Sequence, residues 1–220
     1  MEQRCAADGE WFSRAAATAP AYSPPEIRTI KMITWALTFL RARHVYDDMI
    51  RTRIWSNPAA RAEIGRMLRR NTLLTSTRAS MPFGNLSASA DQLDPDYVNQ
   101  RVVSFGATDL DDMAVAMGNF AFRVVVAGGV TPNRHSPRHR VTISEIGIYI
   151  RDAYDFNGSQ CLGFWDDSDN AVSMANPLSG TAVSNDDFRA WRSANGRGGD
   201  FIIYSDVYRL KLTAPDEFDI

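Results

Sequence analysis

Three oxygen-bearing side chains close an apolar run in IGIYIRDAYD, Ile146 to Asp155: Asp152, Tyr154 and Asp155. In an extended strand Ile146, Ile148, Ile150 and Asp152 share one face, so that face ends in a carboxylate. A carboxylate there is costly unless it is paired, metal-bound or solvated. FNGS, Phe156 to Ser159, supplies a turn that can bring Asp155 back toward Asp152. Such a cluster can hold a hard divalent cation, Mg²⁺ or Ca²⁺, through Asp152 and Asp155. It can also place a general base and a hydrogen-bond donor beside a phosphate, with Arg151 or Arg140 as the clamp and His139 to move a proton. The competing reading makes both acids acceptors of turn N–H groups and Tyr154 a core aromatic with its hydroxyl at the surface.

Other polar clusters carry less. WDDSDN, Trp165 to Asn170, has the D-x-D spacing of calcium loops. However, Val172 stands where the glycine belongs and Leu178 where the bidentate Glu belongs, so a polar hairpin turn is expected. NRHSPRHR, Asn133 to Arg140, gathers arginines and histidines that could meet a phosphate; a solvated basic loop is the preferred reading. NGRGGDF, Asn195 to Phe201, runs into a strand instead of opening a helix, which excludes a phosphate cradle. No zinc spacing, nucleophile elbow or dinucleotide fingerprint occurs, and no organic cofactor is expected.

These residues must be positioned by the elements around them. The 220 residues are 45% apolar, enough for one sizeable core, and no apolar run is long enough to cross a membrane as a helix. Residues 1–25 read as a flexible arm ending in YSPPE. Residues 26–220 read as one α+β domain, helical over about 41–75 and sheet-rich over about 97–212. IKMITWALTF alternates like a strand, and RARHVYDDMIRTRIW has helical spacing. Asn57-Pro58 is a helix start, with Ala60, Ile64, Met67 and Leu68 as its buried stripe. TSTRASMPFGNLSASADQLDPD reads as a long surface loop. YVNQRVVSF, NFAFRVVVAGGV and VTISEIGIYIRD read as strands, as do the shorter CLGFW and AVSMA, where Cys161 is expected as a small core residue. TDLDDMAVAMG is a short helix, NDDFRAWRSANG a helix capped by Asn185, and DFIIYSDVYRLKL a closing strand. The expected class is therefore α+β, with N-terminal helices packed on a mainly antiparallel, strongly twisted sheet or open barrel.

Charge is unevenly spread. Residues 1–80 hold 13 Lys and Arg against 7 Asp and Glu, whereas the remainder holds 11 against 19. The acidic remainder repels phosphate and no nucleic-acid motif occurs, so no nucleic-acid partner is expected. The first 26 residues lack the basic-then-apolar pattern of a Sec-type signal. Synthesis in the bacterial cytoplasm follows, with export, if any, by a signal-independent machine.

From about residue 28 onward, IKMITWALTFLRARHVYDDMI, LRRNTLLTS, VNQRVV, GNFAFRVVVAGGV, IGIYIRDAYDFNGSQCLGFW, FRAWR and GRGGDFIIYSDV resemble a proteobacterial family of uncharacterised domains. Its members often accompany type VI secretion components and their cargo, and the chain is short for that group. Locally, Asp152-x-Tyr154-Asp155 is similar to the D-x-Y-D signature of the colicin M group. Those bacteriocins cleave the lipid-linked peptidoglycan precursor, lipid II, with a divalent cation. That similarity implies Asp152 and Asp155 as metal or acid–base groups and Tyr154 as a positioning group. The signature's downstream His-Arg pair is absent, and Cys161-Leu162 stand near its place. Together the two resemblances imply an antibacterial effector acting on a lipid-linked substrate at the membrane surface of the target cell's periplasm. Its partners would be a secretion-apparatus or adaptor protein and a cognate immunity protein. The alternative is a non-enzymatic adaptor, immunity or binding module encoded at such a locus.

Overall fold

The computed structural model describes residues 27–74, 80–105, 111–117, 119–133, 138–154, 161–166, 171–173, 180–196 and 201–220. In chain order the elements are β1 (Ile27–Ile30), α1 (Leu40–Arg51), α2 (Pro58–Arg70), β2 (Met81–Phe83) and α3 (Ala90–Leu93). Next come β3 (Asn99–Val103), α4 (Asp112–Met117), β4 (Phe120–Pro132) and β5 (His139–Tyr154). Then follow β6 (Cys161–Asp166), β7 (Ala171–Ser173), β8 (Thr181–Ser184), α5 (Asn185–Asn195), β9 (Phe201–Ser205) and β10 (Tyr208–Asp219). The chain divides into two compact units, one built from 27–152 and 203–220, the other taking in 153–202. The expected arm, 1–25, lies outside the described residues.

The larger unit is α+β: N-terminal helices packed on a curled, mainly antiparallel sheet. Its spine is the β4–β5 hairpin, in register from Ala121 opposite Arg151 to Pro132 opposite His139. β4 also pairs with β3 and β2, β5 with β10 and β9, and β1 lies parallel to β9. One bulge matters. Ser144 is the extra residue where Ala127 and Gly128 face Glu145 and Ile143. It reverses the alternation, so that Val141 and Ile143 before it and Ile146, Ile148 and Ile150 after it all enter one core.

That core lies between the sheet and the helices. Phe122, Val124 and Val126 of β4 meet Ala42 and Met49 of α1 and Ile64 and Leu68 of α2, all buried. α2 starts as expected: Asn57 Oδ1 accepts from Ala60 N at 2.9 Å and Pro58 takes the first helical position. The opposite sheet face carries Ala121, Arg123 and Val125 with Gly147, Tyr149 and Arg151, and the segment Gly84–Asp96 lies over it. A Cβ on Gly147 would stand 2.9 Å from Val207 and 3.0 Å from Val125, with Leu86 behind at 3.5 Å. Hydrogen at this position lets the overlying segment approach the sheet. Among the described residues no helix is long and apolar enough to cross a membrane.

Several expectations are corrected. IKMITWALTF is not a strand beyond Ile30. Trp35 N and Ala36 N both bond to Lys31 O, and a 3-10 turn follows at Ala36–Thr38. Met32, Ala36 and Leu37 are buried while Ile33 is exposed, so the burial has helical spacing. The supposed surface loop contains β2, α3 and a 3-10 turn at Asp94–Asp96, because Leu86, Ala90 and Leu93 have a sheet face to cover. The closing strand breaks at Asp206, whose N–H bonds Ile30 O and whose Oδ1 accepts from Met32 N at 2.7 Å.

In the smaller unit β6 pairs antiparallel with β7 and β8. Cys161 is exposed at the start of β6, not in a core. α5 is capped by Ser184 instead of Asn185: the Ser184 hydroxyl accepts from Asp187 N while Asp187 Oδ2 accepts from Ser184 N at 2.8 Å. Asn185 is itself buried. Gly196 ends the helix at φ 61°, as the sequence predicts.

Candidate functional site

β5 separates the predicted site residues. His139 and Arg140 open the strand and Arg151, Asp152 and Tyr154 close it, so Arg140 and Arg151 stand roughly 35 Å apart along an extended backbone. Arg140 is held by β10: its Nε donates to Asp219 Oδ1 at 2.6 Å and its Nη1 to Glu217 Oε2 at 3.2 Å. His139 exchanges two main-chain bonds of 2.9 Å with Ile220, and its Nε2 is buried without a hydrogen bond. Neither residue reaches Asp152. Asp152 is 1% exposed and, by alternation, shares the face of Ile146, Ile148 and Ile150. The Tyr154 side chain and all of Asp155 lie outside the described residues, as does most of the WDDSDN turn.

Arg151 belongs to a cluster that the sequence did not reveal. Its Nε lies 3.4 Å from Asp94 Oδ2, and Asp94 gathers further donors from three strands. Arg123 Nη1 of β4 donates to Oδ1 at 2.6 Å and to Oδ2 at 2.7 Å. The Tyr149 hydroxyl of β5 donates to Oδ1 at 2.7 Å, and the Tyr204 hydroxyl of β9 to Oδ2 at 3.1 Å. Arg123 also donates from Nε to Gln100 Oε1 at 3.2 Å and stacks its guanidinium 4.0 Å from the Tyr97 ring centre.

Burial explains why the cluster is so complete. Arg123 is fully buried and Arg151 is 5% exposed, and a guanidinium out of water needs a counter-charge and saturated donors. Asp94 supplies the charge from the start of its 3-10 turn, which the Gly84–Asp96 segment carries across the sheet. Burial first, then the Asp94 charge, pushes the Tyr149 hydroxyl well above its ordinary range and Tyr204 up to about 12. Both phenols therefore stay protonated and donate. An aspartate that accepts from the Arg123 guanidinium and two phenols, with the Arg151 guanidinium beside it as a second counter-charge, has its lone pairs engaged, which suits an anchor better than a proton acceptor.

The sequence held partial signals. Arg123 interrupts the apolar FAFRVVV, and Tyr149 and Arg151 alternate with Ile148 and Ile150, the period-2 mark of a second sheet face bearing polar groups. Nothing local in LDPDY marks Asp94 as their partner. Among the described residues no three of His, Cys, Asp and Glu come together as a metal site. Asp152 brings one carboxylate to the predicted cation, its companion Asp155 falls outside those residues, and the cation pair is not assembled among them.

A sequence-family model described as a family of unknown function, DUF6402, matches residues 10–182 and 179–220, so the chain belongs to that family. No curated protein and no solved structure matches the chain.

Proposed function

Starting from membership of that family, we propose that this chain is a non-enzymatic adaptor or binding module encoded at a type VI secretion locus. One observation carries the choice: the arginines nominated to clamp a phosphate already serve carboxylates of the chain itself. Arg151 lies against Asp94, and Arg140 is held by Asp219 and Glu217. A phosphate clamp must offer its ligand accessible guanidinium donors not already neutralised by the chain's own carboxylates, and Arg151 is only 5% exposed. The secretion context comes from the sequence resemblance. In this reading Asp152 belongs to the fold and the charge asymmetry of the chain serves docking.

The competing reading is a metal-dependent phosphodiesterase effector acting on lipid II. It rests on the Asp152-x-Tyr154-Asp155 signature and the buried Asp152 carboxylate. Two assays separate the readings. Purified protein incubated with lipid II and Mg²⁺ or Ca²⁺ is expected to leave the precursor intact. Expression directed to the periplasm of a Gram-negative host is expected to be harmless. Cleavage or lysis that Asp155→Ala abolishes would overturn the binding-module reading.

A further inference from the structure

A cavity of about 270 Å³ opens between the C-terminal end of α2 and the Gly84–Asp96 segment. Val125 and Val126 of β4 line it where the strand passes, their side chains on opposite faces of the sheet, and Met67, Leu86 and Leu93 line it as well. An apolar cavity of about 150 Å³ takes a benzene ring, and pockets for drug-sized ligands begin at about 300 Å³. The volume here therefore matches one large apolar side chain. Three polar residues stand on its lining: Asn71, Asn85 and Asp96.

Their unused hydrogen-bonding capacity points to the rest of the occupant. Asn71 is exposed, and among the described residues its side-chain amide makes no hydrogen bond. Asn85 accepts from Ser87 N through Oδ1 at 3.2 Å, which leaves its NH₂ able to donate. A carboxamide of this kind matches a peptide main chain. Of the lining residues Asp96 alone is charged. Arg70 Nη2 donates to its Oδ1, and among the described residues no donor reaches its Oδ2. That ion pair is open to water, with the Arg70 side chain 54% and the Asp96 side chain 38% exposed, so it holds weakly and can be shared with another cation.

We propose that this cavity receives one apolar anchor side chain of a partner protein, with a neighbouring lysine or arginine of that partner bound at Asp96. This rests on the binding-module reading and names the chemistry of the partner. The anchor fills the space beside this stretch of β4, its main chain meets Asn71 and Asn85, and its cation takes Oδ2 of Asp96. Arg70 then acts as the built-in competitor. Asp94, next to Leu93 and two residues before Asp96, holds this wall of the cavity to the sheet.

The test titrates the blocked tetrapeptides Ala-Phe-Lys-Ala, Ala-Phe-Glu-Ala and Ala-Ala-Lys-Ala into the isotope-labelled full chain. The signals read are the side-chain amides of Asn71 and Asn85 and the methyls of Val125 and Val126. The Phe-Lys peptide should bind, with the Phe-Glu and Ala-Lys peptides weaker by about tenfold each. Asp96→Asn should weaken the Phe-Lys peptide severalfold, and Asn71→Trp, which covers the mouth from an exposed position, should abolish its binding. Arg70→Gln should tighten binding severalfold by removing the competitor, a result that no loss of structure can imitate. Equal binding of the Lys and Glu peptides, or weaker binding in Arg70→Gln, overturns the proposal. Phenethylamine binding as tightly as the peptide would instead assign the cavity to a free aromatic amine. Failure of the titrations with lipid II still intact sinks the cavity assignment alone, whereas cleavage of lipid II sinks the binding-module reading.

Discussion

Each end of β5 joins arginine to carboxylate, and the two ends differ in almost everything else. At the closing end Arg151 and its neighbour Arg123 meet Asp94 with side chains 4%, 0% and 14% exposed. At the opening end Arg140 meets Asp219 and Glu217 with side chains 48%, 31% and 51% exposed. The bond lengths overlap. What differs is the alternative open to each charge if its partner is lost. Arg140 can return to water, while Arg123 cannot. A buried pair is therefore indispensable once built, even where an apolar replacement would serve as well, and an exposed pair contributes little.

The largest expected effect breaks the buried end. Asp94→Ala strands two guanidinium groups and should cost about 3–5 kcal/mol, read as a shifted urea midpoint. Combining Asp94→Leu with both Arg123→Met and Arg151→Met should recover much of that loss, since the desolvated charges then go together. A single-variant loss below about 1 kcal/mol would make the buried end no different from the exposed one. Tyr149→Phe ranks next. Removing a buried phenol that donates to a carboxylate should cost about 1.5–3 kcal/mol in the same measurement.

Alkaline pH gives a third test. Tyrosine in the unfolded chain releases its proton near pH 10, whereas Tyr204 holds its own up to about 12 and Tyr149 higher than its ordinary value. Between those pH values the unfolded state binds fewer protons than the native one, so stability falls as pH rises above about 10. Tyr204→Phe should flatten that fall in chemical denaturation followed from pH 8 to pH 11.

The smallest effect is at the opening end. The hydrogen bond from Arg140 holds the Asp219 carboxyl below its usual range. That contribution is present at neutral pH and lost as pH falls through the depressed value. Arg140→Ala should return Asp219 to the ordinary carboxylate range in an NMR titration and leave the urea midpoint unchanged. A measurable drop in the midpoint would mean that the exposed pair is also structural.

Legibility followed the range of the interactions. α2 was readable because Asn57, Pro58 and the Ala60–Ile64–Met67–Leu68 stripe all act within one element. β5 was readable because alternation of Ile146, Ile148 and Ile150 is local. Ile33 misled because the apolar run around it also fits a strand; the chain turns there through local bonds to Lys31 O, and Asp206, accepting from Met32 N, fastens that turn from far along the sequence. For the candidate site, Asp152 and Arg151 were found on β5, but their company was not. The nominated Arg140 belongs to a different neighbourhood, and Asp94 was passed over inside a stretch read as loop.

By itself the sequence determined the α+β class, most helices and strands, and the oddity of arginine and tyrosine on an apolar strand. Local forces act over a few residues and leave their mark in spacing, capping and alternation. Only the tertiary structure decided that Asp94, 29 residues before Arg123 and 110 before Tyr204, would be their common partner. A buried charge takes its counter-charge from whichever segment the packing delivers, and sequence distance exerts no force on that choice.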